Sequence, residues 1–342
     1  MDYRFLGRTG LRVSRIGFGV YSLTGLYGSV PEEDAIELLR YAERLGINFF
    51  DTADVYANGY GEELLCRAFG ERGMARIVVA TKIGYDFYSR RTPPPRRYDE
   101  TYLLWASEKS SERLCKKPID LIQIHNPSLH VLRDMSFWKT VERLTEEGFA
   151  KHVGVALGPE TDVLEHAIIL LQHGRVESIQ FVYNILEQEP GATIARMAAS
   201  RGVGTIARVP HGGGVLDESI TLAEARNLSD HRSLRRNGWY EWAFKVYSEV
   251  KNVLENAPGT PGQKALRFVI DSAPIDAVIV VAKNKDRLKE YIEALELPPL
   301  VNDIIRTLRE IYTKYVEESP EKPAKSLSIM RTWASVFEQI GY

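Results

Sequence analysis

The chain has 342 residues, 44% of them hydrophobic, which is enough for one large core or two smaller ones. Its 44 basic and 46 acidic residues give a net charge of −2, so no overall attraction to nucleic acid or acidic membranes is expected. The N-terminus does not resemble a signal peptide, and no apolar run has membrane-spanning length. We expect a soluble, cytoplasmic protein, monomeric or homo-oligomeric, without nucleic-acid or membrane partners.

The two cysteines, Cys66 and Cys115, both fall in helical patterns. Their spacing matches no metal site, and none is predicted. We expect both to be small, buried apolar residues that stay reduced in a reducing compartment.

The first 20 residues predict a hairpin followed by a core strand. Alternating stretches within residues 3–14 indicate a β-hairpin, and residues 16–20 form an apolar strand. Gly17 and Gly19 begin a glycine pattern typical of dinucleotide-binding loops. The third position is Ser22 and no helix begins there, so we reject a Rossmann fingerprint.

From residue 31 onward, strands and helices alternate. The first helix has a proline in its first turn, three acidic residues after it and a glycine as its stop signal. The later strands are predicted at 47–50, 76–81, 120–124, 152–156, 178–182, 204–207 and 277–281. Helices are predicted at 31–45, 61–72, 99–115, 133–148, 160–173, 190–201, 240–254, 261–272 and 300–316.

Eight short strands, each followed by a helix, predict an α/β fold of the (β/α)8 TIM-barrel type. The strands are apolar without alternation, as expected when both of their faces are covered. A doubly wound open sheet is the alternative, but it would need an early phosphate-binding glycine turn. No linker divides residues 1–316, which we predict to form one barrel domain.

A polar break at residues 319–323 precedes a last segment. The apolar residues that share one helical face of this segment are Leu327, Met330, Trp333, Phe337 and Ile340. We predict that residues 317–342 form a C-terminal helical tail that docks on its own barrel or on another copy.

Four polar residues are placed where a barrel carries its active site. Asp51, Lys82 and His125 lie at or just past the C-terminal ends of consecutive strands, and Tyr56 follows five residues after Asp51. Neighbouring strands lie roughly 5 Å apart, so these side chains are expected to converge over one mouth of the barrel. Each residue alone has an ordinary structural explanation. Four such residues at or just past the ends of three consecutive strands favour a functional site.

These residue types support proton delivery to a carbonyl oxygen. Tyrosine is a weak acid near neutral pH, with a reference pKa of about 10, and an adjacent ammonium favours its phenolate form. Asp51 would hold Lys82 charged, and a neutral His125 would align the reacting oxygen. The set contains neither a nucleophile with its base nor a metal triad. Hydride from a nicotinamide is the natural second reagent.

The chain resembles the aldo-keto reductase superfamily of bacterial and archaeal type to about residue 310. The segments that carry the resemblance are 3–11, 48–56 with Gly61 and Glu62, 80–82, and 121–127. The resemblance implies a hairpin that caps the barrel bottom. It also implies Tyr56 as general acid/base, Lys82 and Asp51 as the residues that tune it, and His125 as the group that positions the carbonyl.

The resemblance further implies NADP(H) as cofactor, with NAD(H) as the alternative. The implied cofactor-binding residues are Gly19, Val20, Gln180, Arg208, Pro210, Gly212, Gly214, Lys283, Asn284 and Arg287. The chain departs from the family pattern at Ala156 and Leu157, which replace a Ser-Asn pair. Arg208 stands where an aromatic ring often stacks on the nicotinamide, and a cation there disfavours NADP⁺.

The residues predicted to bind substrate are Tyr21, Tyr85 and Trp239. Arginines accompany these aromatics in two segments, as Arg90, Arg91, Arg96 and Arg97 and as Arg232, Arg235 and Arg236. Solvated surface charge is the ordinary explanation. The functional one is a basic, aromatic mouth that selects small carbonyl substrates carrying a carboxylate or phosphate.

The leading hypothesis is an NADP(H)-dependent oxidoreductase that reduces an aldehyde or ketone to an alcohol. A Schiff-base aldolase that uses Lys82 is a second hypothesis. A third is a non-catalytic, NADPH-binding regulatory subunit, similar to the potassium-channel β subunits, whose tail helix contacts a partner.

Overall fold

A computed structural model of the chain describes residues 1–91, 93–158, 162–228, 230–235 and 238–317. The strands in this part of the chain are β1 (Tyr3–Phe5), β2 (Arg12–Ser14), β3 (Ile16–Gly19), β4 (Phe49–Asp51), β5 (Val78–Ile83), β6 (Ile119–His125), β7 (Ala150–Ala156), β8 (Ser178–Val182), β9 (Gly204–Arg208) and β10 (Ala277–Val280). Strands β3 to β10 form a closed parallel barrel in chain order, and β10 closes it by pairing with β3. The predicted (β/α)8 barrel is confirmed.

Helices follow the barrel strands and cover them. They are α1 (Glu32–Arg44), α2 (Tyr60–Met74), α3 (Glu100–Leu114), α4 (Leu129–Arg133), α5 (Met135–Glu146), α6 (Val163–His173), α7 (Gly191–Ser200), α8 (Leu222–Ala225), α9 (Trp239–Val253), α10 (Pro261–Ser272), α11 (Lys285–Glu293) and α12 (Asn302–Glu317). Local signals explain their bounds. Helix α10, for example, begins with Pro261 in its first turn and a reciprocal capping box between Thr260 and Gln263.

The predicted hairpin, β1 with β2, closes the N-terminal end of the barrel. Its Leu6 side chain joins Phe49 and Ile206 in the apolar interior. Gly7 has a φ of +51°, and a Cβ atom at this position would lie 2.3 Å from the amide nitrogen of Gly204 at the start of β9. The close approach of the hairpin to β9 therefore requires glycine there.

Several bounds differ from the prediction. Strands β5 and β6 continue through Lys82 and His125, so both residues lie inside strands and not beyond them. Helix α11 was not predicted, because only Leu288 and Tyr291 of its residues are buried and its apolar pattern is weak. The predicted start of one helix at residue 160 lies outside the described residues, and α6 is described from Val163.

Helix α12 is the last element described. The Nζ atom of Lys314 and the hydroxyl of Tyr315 donate to Glu249 of α9 at 3.0 and 2.6 Å, which fixes α12 against the barrel wall. Glu317, which we assigned to the tail, still belongs to α12. The remaining tail, residues 318–342, lies outside the described part of the chain, so the two-part division stays a prediction.

None of the described helices is both long and apolar enough to cross a bilayer. The cytoplasmic location stays a prediction.

The two cysteines were predicted wrongly. Cys66 of α2 and Cys115, which ends α3 in a left-handed conformation, are half-buried and joined in a disulfide with their Cα atoms 5.7 Å apart. The 49-residue separation carries no sequence signal for this pairing. It is the side-by-side packing of α2 and α3 that brings the two sulfurs together.

Removal of this disulfide should destabilise the fold. We expect the double variant Cys66→Ser/Cys115→Ser to lose about 2 to 4 kcal/mol of unfolding free energy, because the disulfide closes a long loop in the unfolded chain. Urea unfolding with and without dithiothreitol measures the effect, and the double variant serves as control because reductant should not change it. Two titratable thiols in denatured protein that has never met reductant would contradict the pairing.

Candidate active site

The C-terminal ends of β4, β5 and β6 bring the predicted residues together. Asp51 ends β4 and lies opposite Ala80 of β5 in the strand register. Lys82 lies opposite Gln123 of β6, and His125 is the last residue of that strand. The parallel register therefore places three of the four side chains on one rim of the barrel.

Lys82 and Asp51 form a buried ion pair. The Nζ atom of Lys82 donates to Oδ1 of Asp51 at 2.6 Å and to the carbonyl oxygen of Thr52 at 2.8 Å. The two side chains are only 2% and 7% exposed. Burial by itself lowers the pKa of Lys82, but the Asp51 charge and the interaction with Tyr56 outweigh it and raise this pKa above its usual value. Lys82 therefore stays an ammonium.

Two glutamines orient Asp51 from its other side. Gln180 donates from Nε2 to Oδ2 of Asp51 at 2.7 Å, and Gln123 donates to the same oxygen at 3.3 Å. Gln180 was predicted to bind cofactor, but here its amide nitrogen is engaged by Asp51. Gln123 was not singled out, although a polar residue inside an apolar strand was an available signal.

Tyr56 lies on a tightly turned loop between β4 and α2. The amide of Asp54 donates to the carbonyl oxygen of Lys82 at 3.0 Å, which attaches this loop to β5. Ala57 and Asn58 then have left-handed backbones, with φ of 48° and 57°. The ammonium of Lys82 lies 5.1 Å from the centre of the Tyr56 ring. The fourth predicted residue thus joins the other three.

His125 is held as a neutral imidazole. Burial, with the positive charges of Lys82 and Arg208, places the pKa of His125 well below its usual range. Its Nδ1 atom is buried and has no hydrogen-bond partner among the described residues. The ring lies edge-to-face with the rings of Tyr85 and Tyr56, at 4.9 and 6.3 Å between ring centres.

Two of the three predicted substrate-binding aromatics contact this group. Tyr21 packs edge-on against Tyr56 at 4.8 Å, and Tyr85 contacts His125 as described. Trp239 begins α9, where the guanidinium of Arg235 lies 3.9 Å above its ring. Tyr21 and Tyr85 thus line the site directly, while Trp239 packs with Arg235 and with Trp242 of α9.

Most of the residues predicted to bind cofactor lie at or just past the C-terminal ends of the adjacent strands β9, β10 and β3. We call this row of residues the cofactor path. Gly19 ends β3 opposite Asp51, and Val20 begins a buried turn. After β9 and Pro210, the segment Gly212–Gly214 has positive φ throughout. A Cβ atom at Gly214 would lie 2.9 Å from Ile220 and from Ser219, so the close packing of this loop requires glycine there.

The other end of this path lies at the start of α11. Asn284 accepts a hydrogen bond from the Arg287 amide at 2.8 Å and thereby caps the helix. The Arg287 side chain donates to Glu290 at 3.0 Å. Lys283 is exposed and donates to the carbonyl oxygen of Tyr27.

His211, within the glycine loop, was not assigned a role from the sequence. Its ring stacks on Tyr291 with 4.2 Å between ring centres. Its Nε2 atom is buried and has no hydrogen-bond partner in the described part of the chain, and burial lowers the pKa of His211. A polar ring atom of the glycine loop is therefore unsatisfied by the described residues.

Arg208 occupies the region of the replaced Ser-Asn pair. Its Nη2 atom donates to the carbonyl oxygen of Leu157 at 2.9 Å. Ala156 and Leu157 are themselves buried and apolar. The side-chain amide expected from the family pattern is therefore absent, and a guanidinium binds the backbone at this point.

Most of the described rim arginines are paired with acids or backbone. Arg97 lies 3.3 Å from Asp86 and 3.1 Å from Asp99. Arg96 donates to the carbonyl oxygen of Asn126 at 2.9 Å. The arginines near α9 also have partners, Arg232 with Asp230 and Arg235 with Glu187, while Arg236 lies outside the described residues.

Behind the Tyr56 loop lies a carboxyl pair that sequence reasoning missed. Glu62 is fully buried and accepts from Thr81 at 2.5 Å and from Arg113 at 2.7 Å. Asp54 is also fully buried, and neither of its carboxylate oxygens has a hydrogen-bond partner with good geometry among the described residues. Burial and then the nearby Glu62 charge raise the pKa of Asp54 well above its usual range. The raised pKa favours the protonated form of Asp54 in the folded state.

Comparisons with known sequences and structures point to one protein family. The sequence model of the Aldo/keto reductase family matches residues 15–313. Probable aldo-keto reductase 1 of Glycine max is 28% identical over 316 residues, which are 90% of this chain and 87% of the relative. L-galactose dehydrogenase of Arabidopsis thaliana is 27% identical over 358 residues, with 99% of each protein covered.

A probable channel subunit and a solved structure are also similar. The probable voltage-gated potassium channel subunit beta of Arabidopsis thaliana is 23% identical over 339 residues, which are 94% of this chain and 99% of the relative. The holo form of an aldo-keto reductase from Bacillus halodurans superposes with a TM-score of 0.75 at 25% identity. That match covers 91% of this chain and 96% of the other.

The protonated Asp54 should make stability depend on pH. Above the ordinary aspartate pKa the unfolded chain releases a proton that the folded chain keeps, so the Asp54 contribution falls as pH rises, by up to about 1.4 kcal/mol per unit. Asp54→Asn removes this contribution, and the variant should become progressively more stable than wild type from pH 4.5 to 7.5. Urea unfolding across this range measures the difference. A difference independent of pH would show that Asp54 is ionised.

Proposed function

The chain belongs to the aldo/keto reductase family and is an oxidoreductase, and from this premise we propose that it reduces an aldehyde or ketone to an alcohol with NADP(H). Tyr56 is the general acid in this proposal. Members of the family generally bind NAD(P)H, and the choice of NADP(H) is part of the proposal. The observation that carries it is the buried Lys82 ammonium, held between Asp51 and Tyr56.

The ion pair gives Lys82 one task in this chemistry. When Tyr56 transfers its proton to the carbonyl oxygen, negative charge appears on the phenolic oxygen. Lys82 is positively charged before that step and does not lend its own proton, because Asp51 and Thr52 hold it through two hydrogen bonds. The ammonium therefore stabilises the phenolate in a water-poor site, where such charge interactions are strong.

His125 has a different task. A protonated imidazole would compete with Tyr56 as acid and would add a second buried cation beside Lys82. Because the pKa of His125 is well below its usual range, the ring stays neutral. A neutral ring can donate one hydrogen bond to the carbonyl oxygen and so align it for the proton from Tyr56.

The cofactor path fits a dinucleotide. The glycine loop has no room for a side chain at Gly214, and His211 in the same loop has a buried ring nitrogen without a hydrogen-bond partner among the described residues. The amides of Gly212 and Gly214 donate within the loop, to the carbonyl oxygens of Val209 and His211 at 3.1 Å each. Lys283, just before α11, is the candidate partner of a 2′-phosphate. The bound nicotinamide would supply hydride to the carbonyl carbon.

The geometry does not favour the aldolase alternative. A Schiff base requires the free amine of lysine as nucleophile. Asp51, Thr52 and Tyr56 instead hold Lys82 as an ammonium with a raised pKa. The regulatory alternative depends on the tail, which lies outside the described residues. A role limited to binding cofactor would not require the ion pair at the Tyr56 hydroxyl.

Tyr56→Phe should abolish turnover without loss of cofactor binding. Because this substitution removes the hydroxyl group that donates the proton, we expect kcat for NADPH-dependent reduction of an aldehyde such as 4-nitrobenzaldehyde to fall by about 10² to 10⁴. The dissociation constant of NADPH, measured by fluorescence titration, should stay within about twofold.

Tyr60→Phe is the matched control for that variant. Tyr60 begins α2 four residues further on, and its hydroxyl donates to Glu32 at the surface at 3.0 Å. The control should keep wild-type turnover. Equal kcat values for wild type and Tyr56→Phe would refute the assignment of Tyr56 as acid.

Lys283→Met should weaken NADPH binding about tenfold and leave NADH binding unchanged, because one charge-assisted contact to the 2′-phosphate is lost. Fluorescence titration with both nucleotides measures this. Lys285→Met provides the control, since Lys285 is exposed two residues away and pairs with Glu37 at 3.1 Å. An equal loss for NADPH and NADH in Lys283→Met would argue against a 2′-phosphate contact.

A further inference from the structure

Three basic side chains around the proposed site have a carboxylate partner, and Arg208 differs from them. Lys82 is paired with Asp51, Arg235 with Glu187, and Arg232 with Asp230. Within the described part of the chain, Arg208 has no carboxylate at ion-pair distance. Its hydrogen bond goes to a backbone carbonyl, that of Leu157. A backbone oxygen does not neutralise a guanidinium.

Arg208 lies close to the reacting groups. It ends β9, opposite Val182 of β8 and Ile279 of β10 in the strand register. Its positive charge is one of the causes that lower the pKa of His125, and it also interacts with Tyr56. The guanidinium is therefore near enough to interact electrostatically with both side chains that would flank the carbonyl oxygen.

The remaining donors of Arg208 point to a ligand. The side chain is half-buried, and none of its nitrogens is among the buried polar atoms without a partner. With Nη2 on Leu157, the other guanidinium N–H groups are therefore accessible within the site. Burial lowers the pKa of Arg208, yet arginine remains a cation in proteins. A half-buried cation without a counter-ion is unfavourable, and a ligand anion removes that cost.

The sequence-based alternative for Arg208 is less favourable physically. If the guanidinium stacked on the nicotinamide, its charge would oppose the positive charge that the ring acquires on giving up hydride. A carboxylate on the substrate does not change its charge during the reaction. It can therefore accept two parallel hydrogen bonds from the guanidinium in both substrate and product.

We propose that Arg208 binds a carboxylate adjacent to the reacting carbonyl, so that the preferred substrates are 2-oxo acids. This rests on the proposed function. Hydride adds to the carbonyl carbon, the carbonyl π bond breaks, and its oxygen takes the proton of Tyr56. The product is a 2-hydroxy acid, the nicotinamide is oxidised by two electrons, and the carboxylate is unchanged.

A charged and a neutral substrate with the same ketone test this assignment. Benzoylformate carries the carboxylate, and methyl benzoylformate is its neutral ester. We expect wild type to favour the acid in kcat/KM by at least about tenfold, and Arg208→Gln to lower this acid-to-ester ratio by about 10- to 100-fold. The acid-to-ester ratio of Arg208→Lys should lie between those of wild type and Arg208→Gln, because lysine keeps the charge without the bidentate geometry.

A binding measurement gives an independent readout. By titration calorimetry with NADP⁺ present, Arg208→Gln should bind mandelate more weakly by a similar factor, while mandelamide binding changes little. Should Arg208→Gln fail to fold, the wild-type ratio and the Arg208→Lys ratio decide the question alone.

Arg97→Gln is the matched control, because it removes an exposed rim arginine that is already paired with Asp86 and Asp99. Its acid-to-ester ratio should equal that of wild type. A ratio near one in wild type, or a ratio lowered by Arg97→Gln and not by Arg208→Gln, would overturn the assignment to Arg208. Absence of turnover with both substrates and with simple aldehydes would instead refute the proposed function.

Discussion

The site depends on one buried ion pair, Lys82 with Asp51. An isolated ammonium in this interior would lose its proton, since desolvation of a single charge costs several kcal/mol. Asp51 prevents this, and it is itself oriented by Gln123 of β6 and Gln180 of β8. Because all of these residues sit on strands of one closed barrel, the hydrogen-bonded register sets their distances. Loop motion cannot easily change them.

The loop that carries Tyr56 is held by a second set of contacts behind the ion pair. Glu62 of α2 pairs with Arg113 of α3, and the disulfide joins the same two helices at Cys66 and Cys115. Asp54, which belongs to the Tyr56 loop, is fully buried, and its amide donates to the carbonyl oxygen of Lys82. Helix packing, a covalent bond and a buried charge pair therefore all restrict the position of one phenol.

The charge distribution of this site differs from the family pattern. The replaced Ser-Asn pair leaves an apolar Ala156-Leu157 segment, and Arg208 bonds to its backbone. The same guanidinium helps to keep His125 neutral. Arg208 thus brings a cation to the place where the family pattern has an uncharged Ser-Asn pair, and it lowers the pKa of His125. It also leaves the site with a positive charge that an anionic substrate would balance.

The sequence by itself determined the barrel, the bounds of β8 and α10, and the convergence of Asp51 and Lys82, because strand and helix periods and chain order are local properties. Only the tertiary structure decided which groups are paired. The Cys66–Cys115 bond, the Gln180 contact to Asp51 and the acids beside the rim arginines join positions far apart in the chain. Such pairings follow from side-chain packing and leave no periodic trace in the sequence. The unbalanced charge of Arg208 emerged for the same reason, since a counter-ion is identified only when every neighbour in space is known.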